Sequence, residues 1–136
     1  MTVSSAIAVR KAIHNALAAD AALAALLGGV KIYDDAPREA QPPYVAFADF
    51  QSRDWSTSSD RGAEHLVFIN VWSTQRGARE ALAVAEQVRS LIDDQPLTLD
   101  GNHLVNLRFL QLDTRRENNG RLTRATLRFR AVTEPL

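Results

Sequence analysis

The sequence contains no cysteine and only one methionine, and lysine occurs only twice. The missing thiol excludes a disulfide scaffold, a thiolate metal site and a cysteine nucleophile. No stretch approaches the roughly 20 consecutive apolar residues of a membrane-spanning helix. The alanine-rich start, Met1 to Ala19, lacks the unbroken apolar core of a signal peptide because Arg10, Lys11 and His14 interrupt it. The expectation is a soluble cytosolic protein. There is no excess charge of either sign, since 16 basic residues balance 16 acidic ones.

Catalytic signatures are missing as well. No glycine-rich loop ready to cradle phosphate is present, and no Gly-x-Ser-x-Gly turn presents a nucleophile. His14, His65 and His103 lie on separate segments without further ligands at metal-binding spacing, so they read as surface or strand-edge histidines. Asp34-Asp35 and Asp93-Asp94 stand beside Pro37 and Pro96, which suits exposed turns better than acid–base chemistry. Ser52, Ser56, Ser58 and Ser59 fall in a polar stretch near Asp54, Asp60 and His65, a poor scaffold for a nucleophile. Neither a cofactor nor a metal is expected, and no enzyme activity.

What is present is a complete set of elements for one domain, residues 1–136, with 46% hydrophobic residues. Ala6, Val9, Ile13 and Leu17 recur at helical spacing and predict a helix over Val3 to Leu27, with a possible break at Asp20 and a stop at Gly28-Gly29. Short strands are expected at Val30 to Tyr33 and Tyr44 to Phe50. The second has Val45 and Phe47 on one face, with Tyr44, Ala46 and Phe50 on the other. His65 to Trp72 alternates between Val67, Ile69, Val71 and Leu66, Phe68, Trp72, so both faces are apolar. A second helix spans about Arg76 to Ile92, capped by Ser73 or Thr74. Strands follow at Leu97 to Leu99 and His103 to Leu112. A turn at Glu117-Asn118-Asn119-Gly120 leads to the return strand Leu122 to Val132. The order α-β-β-β-α-β-β-β implies an α+β domain, a mostly antiparallel sheet with two helices packed on one face.

Charge is unevenly spread along the chain. Residues 1–102 carry 9 basic and 13 acidic side chains, and residues 103–136 carry 7 and 3, a split of −4 against +4. Fourteen of the 16 basic residues are arginine, whose rigid fork suits interfaces, although a GC-rich genome gives the same bias. Arg124, Arg128 and Arg130 share the face of the last strand opposite Ala125, Leu127, Phe129 and Ala131. Arg108, Arg115 and Arg116 extend that patch. It could contact phosphates, but it lacks interleaved aromatics in sequence. It could equally pair across a subunit boundary with Asp34, Asp35, Asp49, Asp54 or Asp60, and head-to-tail pairing of unlike surfaces closes rings. A solvated sheet face is the third reading.

The linear order of cues resembles the phage tail-completion or tail-terminator family of long-tailed phages and gene transfer agents. It runs from the opening helix through Val30-Lys31-Ile32-Tyr33, an Asp and Pro loop, Pro42-Pro43-Tyr44-Val45, a polar loop and His65 to Ser73, then a helix rich in Ala. The resemblance implies a structural virion protein, assembled in the host cytoplasm into a homo-oligomeric ring, usually a hexamer. Such a ring sits at the head-proximal end of the tail, where it ends tail-tube growth and docks the head connector or stopper protein. DNA passes only transiently through its lumen and no membrane is involved. A neutral chain fits, since a strongly basic lumen would hold passing DNA back. On this reading the polar stretches Gln51 to Gly62 and Asp113 to Arg121 are contact arms. Trp55 is either an interface anchor or packed against its own sheet. The alternatives are another neck or minor tail protein, or a small nucleic-acid-binding module using the arginine strand.

Overall fold

The computed structural model describes residues 4–136, so the expected start of the first helix at Val3 lies outside the described residues. Eight elements follow one another: α1 (Ser5–Ala18), α2 (Ala21–Leu27), β1 (Ile32–Tyr33), β2 (Tyr44–Asp54), β3 (Ala63–Ser73), α3 (Arg79–Ile92), β4 (Asn102–Glu117) and β5 (Leu122–Pro135). The strands form one sheet in the order β1-β2-β3-β5-β4, antiparallel throughout except for the parallel β1–β2 pair. The α+β class and mostly antiparallel sheet expected from the sequence are what the chain adopts.

The first helical stretch divides at Asp20, where a break was anticipated. The Ser4 side chain accepts from the Ile7 N–H to begin α1, and the Asp20 carboxylate accepts from the Leu23 N–H at 2.8 Å to begin α2. Side-chain acceptors of this kind satisfy helix N–H groups that have no partner within the helix. The same Asp20 carboxylate accepts from Gln87 Nε2 at 2.9 Å, which ties the break to α3. Gly28 ends α2 with φ 77°, a left-handed conformation that costs glycine little.

All three helices bury one stripe each against the same sheet face. Val9, Ile13 and Leu17 of α1, Leu23 and Leu27 of α2, and Ala81, Val84, Val88 and Ile92 of α3 meet Val67, Ile69 and Val71 of β3 and Leu127, Phe129 and Ala131 of β5. Phe129 is fully buried and meets the Phe109 ring edge-on, with centroids 5.8 Å apart. Burying each such large side chain contributes about 1.5–3 kcal/mol.

Several boundaries depart from the sequence reading, each for a local reason. A bulge between Phe47 and Phe50 inserts an extra residue, so Phe50 pairs with Val67 and joins the helix-facing side instead of the opposite one. Leu97 to Leu99 does not form a strand; only an isolated bridge joins Leu99 to Asn102 across the Asp100-Gly101 turn. Helix α3 begins at Arg79, not Arg76, because Gly77 has φ 77°. Neither Ser73 nor Thr74 caps it. The Gln75 side chain accepts from the Glu80 N–H instead, and Ser73 donates to the Glu80 carboxylate at 2.6 Å. Strand β4 continues to Glu117, so most of the expected Asp113 to Arg121 arm is rigid hairpin paired to β5. The turn at its tip holds Asn118, Asn119 and Gly120 at positive φ, as Asn and Gly allow.

Candidate functional site

Since every helix packs on one side, the opposite sheet face is left uncovered. The alternation of β5 decides what stands there. Ala125, Leu127, Phe129 and Ala131 turn toward the helices, so Arg124, Thr126, Arg128 and Arg130 turn outward. Pairing of β3 with β5 sets Trp72 opposite Arg124, Phe68 opposite Arg128 and Leu66 opposite Arg130. On the other side of β5, β4 adds Arg108 opposite Arg130 and Arg115 opposite Arg124. The aromatics missing beside the arginines in the sequence are therefore supplied by a neighbouring strand. Guanidiniums lie 5.8 Å from the Trp72 centroid for Arg124 and 5.5 Å from that of Phe68 for Arg128, within cation–π range.

At the β2 side this face holds a charged knot. Glu64 projects from β3 with its side chain only 8% exposed. Its two carboxylate oxygens accept from Arg130 Nε and Arg53 Nε, each at 2.5 Å. Hydrogen bonding from Arg130, reinforced by Arg53, outweighs burial and holds the Glu64 carboxyl below its ordinary range. The Trp55 indole sits 5.1 Å from the Arg53 guanidinium and 5.2 Å from that of Arg130, yet remains 46% exposed. Trp55 thus leans on its own sheet while offering its outer side to solvent. A shallow cavity of about 320 Å³ adjoins this knot, lined by Gln51, Arg53, Glu64, Leu66 and Arg128. Arg128 makes no ion pair among the described residues, and its Nε is buried without a hydrogen-bond partner.

The other candidates distribute around this face. Arg116 lies on β4 opposite Thr123, exposed, on the row that turns toward the helix side. Arg124 pairs with Glu117 at 3.1 Å. Asp34 is joined to Arg10 of α1, whereas Asp35 is exposed. Asp54 accepts from the Ser56 hydroxyl at 2.6 Å and braces its own loop. That loop, residues 55–62, is cross-linked internally: Trp55 N donates to Gly62 O at 2.9 Å and Thr57 N to Asp60 O at 2.7 Å. It is a compact turn structure and shorter than the expected Gln51 to Gly62 arm, because β2 extends to Asp54.

His65 is fully buried, contrary to its expected place at the surface, because the β3 register turns it toward the helices. Ser52 Oγ lies 2.6 Å from Nδ1 and Thr133 Oγ1 lies 3.0 Å from Nε2, so hydroxyls on both neighbouring strands hold the ring. Burial pushes its pKa down, partly opposed by Glu64, which favours the neutral imidazole. Here Ser52 meets an imidazole oriented by a threonine; the carboxylate that would stabilise an imidazolium is not at Nε2. His14 bonds the Ile32 carbonyl at 3.2 Å, and His103 is exposed. Among the described residues no three His, Asp or Glu side chains converge as a metal site, and no helix is long and apolar enough to cross a membrane.

Comparison with known proteins adds the context this face lacks. A family model described as tail completion protein gp17 matches residues 11–134. Among solved structures, a chain from the virion of a native gene transfer agent particle superposes with a TM-score of 0.89 at 33% identity. The match covers 98% of this chain and 99% of that one. No curated protein sequence matches.

Proposed function

The chain belongs to the tail completion protein gp17 family, and from that membership we propose that it is a structural subunit of a phage-like virion, located at the head-proximal end of the tail. Copies assemble there into a ring, a hexamer, on the last layer of the tail tube. The ring stops tube growth and presents a docking face to the head connector or stopper protein. DNA crosses its lumen only in transit. The observation that carries this reading is the end-to-end likeness, at 33% identity, to a chain of a gene transfer agent virion. The chemistry agrees with it. The exposed features are an arginine and aromatic sheet face and charged edges, which serve contact between surfaces.

Deleting the coding sequence from a producing strain tests the proposal. Electron micrographs are expected to show heads without tails, together with detached tails of uncontrolled length. Expression in trans restores joined particles. Normal-length tails joined to heads in the deletion strain would refute the assignment.

A second reading has one observation in its favour: the arginines stand over aromatic rings, as in surfaces that bind single-stranded nucleic acid. It would make the face a DNA-binding surface in its own right. Against it, Arg53 and Arg130 are spent on Glu64 and Arg124 on Glu117.

A further inference from the structure

The sheet has two lateral edges, and they differ in charge. Beyond β1 lies the loop 34–43, which carries the acids Asp34, Asp35 and Glu39 against the single base Arg38; Asp35, Arg38 and Glu39 are exposed and make no ion pair among the described residues. Lys31 Nζ donates to the Gln41 carbonyl at 2.9 Å and holds this loop beside β1. Beyond β5 lies the β4 edge with its hairpin tip, where Arg115, Arg116 and Arg121 are exposed and likewise make no ion pair among the described residues. The two groups stand at the same level. Tyr44 is opposite Trp72, Trp72 opposite Arg124 and Arg124 opposite Arg115, one unbroken row across four strands. The next row on the same face, two residues further along, runs from Tyr33 through Ala46, Asn70 and Thr126 to Asp113. The acidic loop begins after Tyr33 and ends before Tyr44, so it spans the rows that end in Asp113 and Arg115.

We propose that the acidic loop at the β1 edge of one copy docks against the basic β4 tip of the next, Asp35 and Glu39 facing Arg115 and Arg116. This deepens the ring reading and rests on it. Unlike surfaces on opposite edges make a head-to-tail contact, and because they share a level across the sheet, successive copies need no axial shift. A contact of that kind closes into a ring, whereas an axial step would build a filament. Bulges between Leu104 and Asn106 and between Phe109 and Gln111 interrupt the β4 edge. They disfavour simple addition of a strand, so side chains make the contact. Exposed Leu110 on β4 and Val30 beside β1 add apolar area to the two edges.

The absence of native cysteine makes the test clean. Asp35→Cys and Arg115→Cys chains are mixed, both as purified protein and during particle assembly, and treated with a short thiol cross-linker. The two edges of one copy are four strand spacings apart, about 19 Å, so one chain cannot bridge itself. The expected product is a dimer only where both variants are present. A chain carrying both substitutions is expected to give a ladder ending at the ring. Homotypic dimers, or no product from particles in which native mass spectrometry still finds a ring, would overturn the edge pairing and leave the ring standing. A monomer recovered from particles would instead sink the ring and the pairing with it. Charge reversal gives an independent check. Asp35→Arg with Glu39→Arg is expected to lower particle yield by at least about tenfold, and adding Arg115→Glu with Arg116→Glu to restore it. Lack of rescue, with circular dichroism showing all variants folded, counts against the proposal.

Discussion

Arg130 and Glu64 face each other across the β3–β5 pair, with Nε donating to Oε2 at 2.5 Å while Arg53 closes the carboxylate from β2. Three strands are tied by one acid. Replacing it by the isosteric glutamine leaves two guanidiniums close together without their shared anion. Glu64→Gln is therefore expected to lower the melting temperature at neutral pH and to alter Trp55 fluorescence, since both arginines also touch that indole. The sign with pH follows from the lowered pKa: the contribution is present above the unfolded value of about 4.5 and is lost as pH falls through the folded one. Melting curves of the two proteins should accordingly stay apart down to about pH 4.5 and converge only as pH falls further, toward and through the folded value. A Glu64→Gln chain with unchanged melting at pH 7 would show the knot to be energetically idle.

His65 acts in a higher pH window. Its folded pKa lies below 6.5, so above 6.5 both folded and unfolded forms are neutral and the full contribution is present. As pH falls from 6.5 the unfolded chain takes up the proton first, and stability declines until the folded pKa is reached. Chemical denaturation between pH 7 and pH 5 should show this slope in the native chain, and a His65→Gln chain should lose most of it. An equal slope in both would place the titration elsewhere.

These two groups also mark how far the sequence can be read. The alternation of Leu122 to Val132 and the apolar spacing of Ala81, Ala85 and Val88 are local periodicities, and both elements formed. However, α3 starts only at Arg79 and leaves Leu82, expected in its buried stripe, 37% exposed because Val84 takes the core side instead. The partners of Arg124, Arg128 and Arg130 were not legible. Trp72, Phe68 and Glu64 come from β3, which is separated from β5 in the chain by α3 and β4, and no local pattern specifies that pairing or its register. Glu64 and Arg53 are not legible as a pair for the same reason. Both flank a polar loop, and only the β2–β3 register makes them neighbours. The bulge at Phe47/Phe50 and the continuation of β4 through Asp113 to Glu117 likewise depend on partner strands, which override the polarity of the segment.

The core should respond to truncation in proportion to burial. Phe129→Ala removes a fully buried ring packed on Phe109, and such changes cost about 3–5 kcal/mol. Leu82→Ala, on the 37% exposed side of α3, should stay within about 0.5 kcal/mol. Urea titration of both compares them directly; similar losses would contradict the assigned helix face.

Asp20 both caps α2 and holds Gln87 of α3. Asp20→Ala should cost about 0.5–2 kcal/mol, whereas Asp20→Asn, which can still accept from the Leu23 N–H, should retain most of that stability. The midpoint of urea unfolding reads the difference. Equal losses for the two would mean that the charge, rather than the cap, matters.

With three of its arginines committed to Glu64 and Glu117, the outer sheet face should bind duplex DNA no more tightly than non-specific proteins do, about 10⁻⁴–10⁻⁶ M at physiological salt. Fluorescence anisotropy across a salt series tests this. Tight binding with a steep salt slope, weakened by Arg128→Ala, would move the balance to the nucleic-acid reading.

Locating the chain at the head-proximal end of the tail in assembled particles tests its proposed role most directly. Purified particles carrying an epitope on this chain, labelled with gold-conjugated antibody and viewed by electron microscopy, should show label at the junction of head and tail. Detached tails should show it at one end only. Label along the tube, at the distal tip, or absent from intact particles would contradict the account.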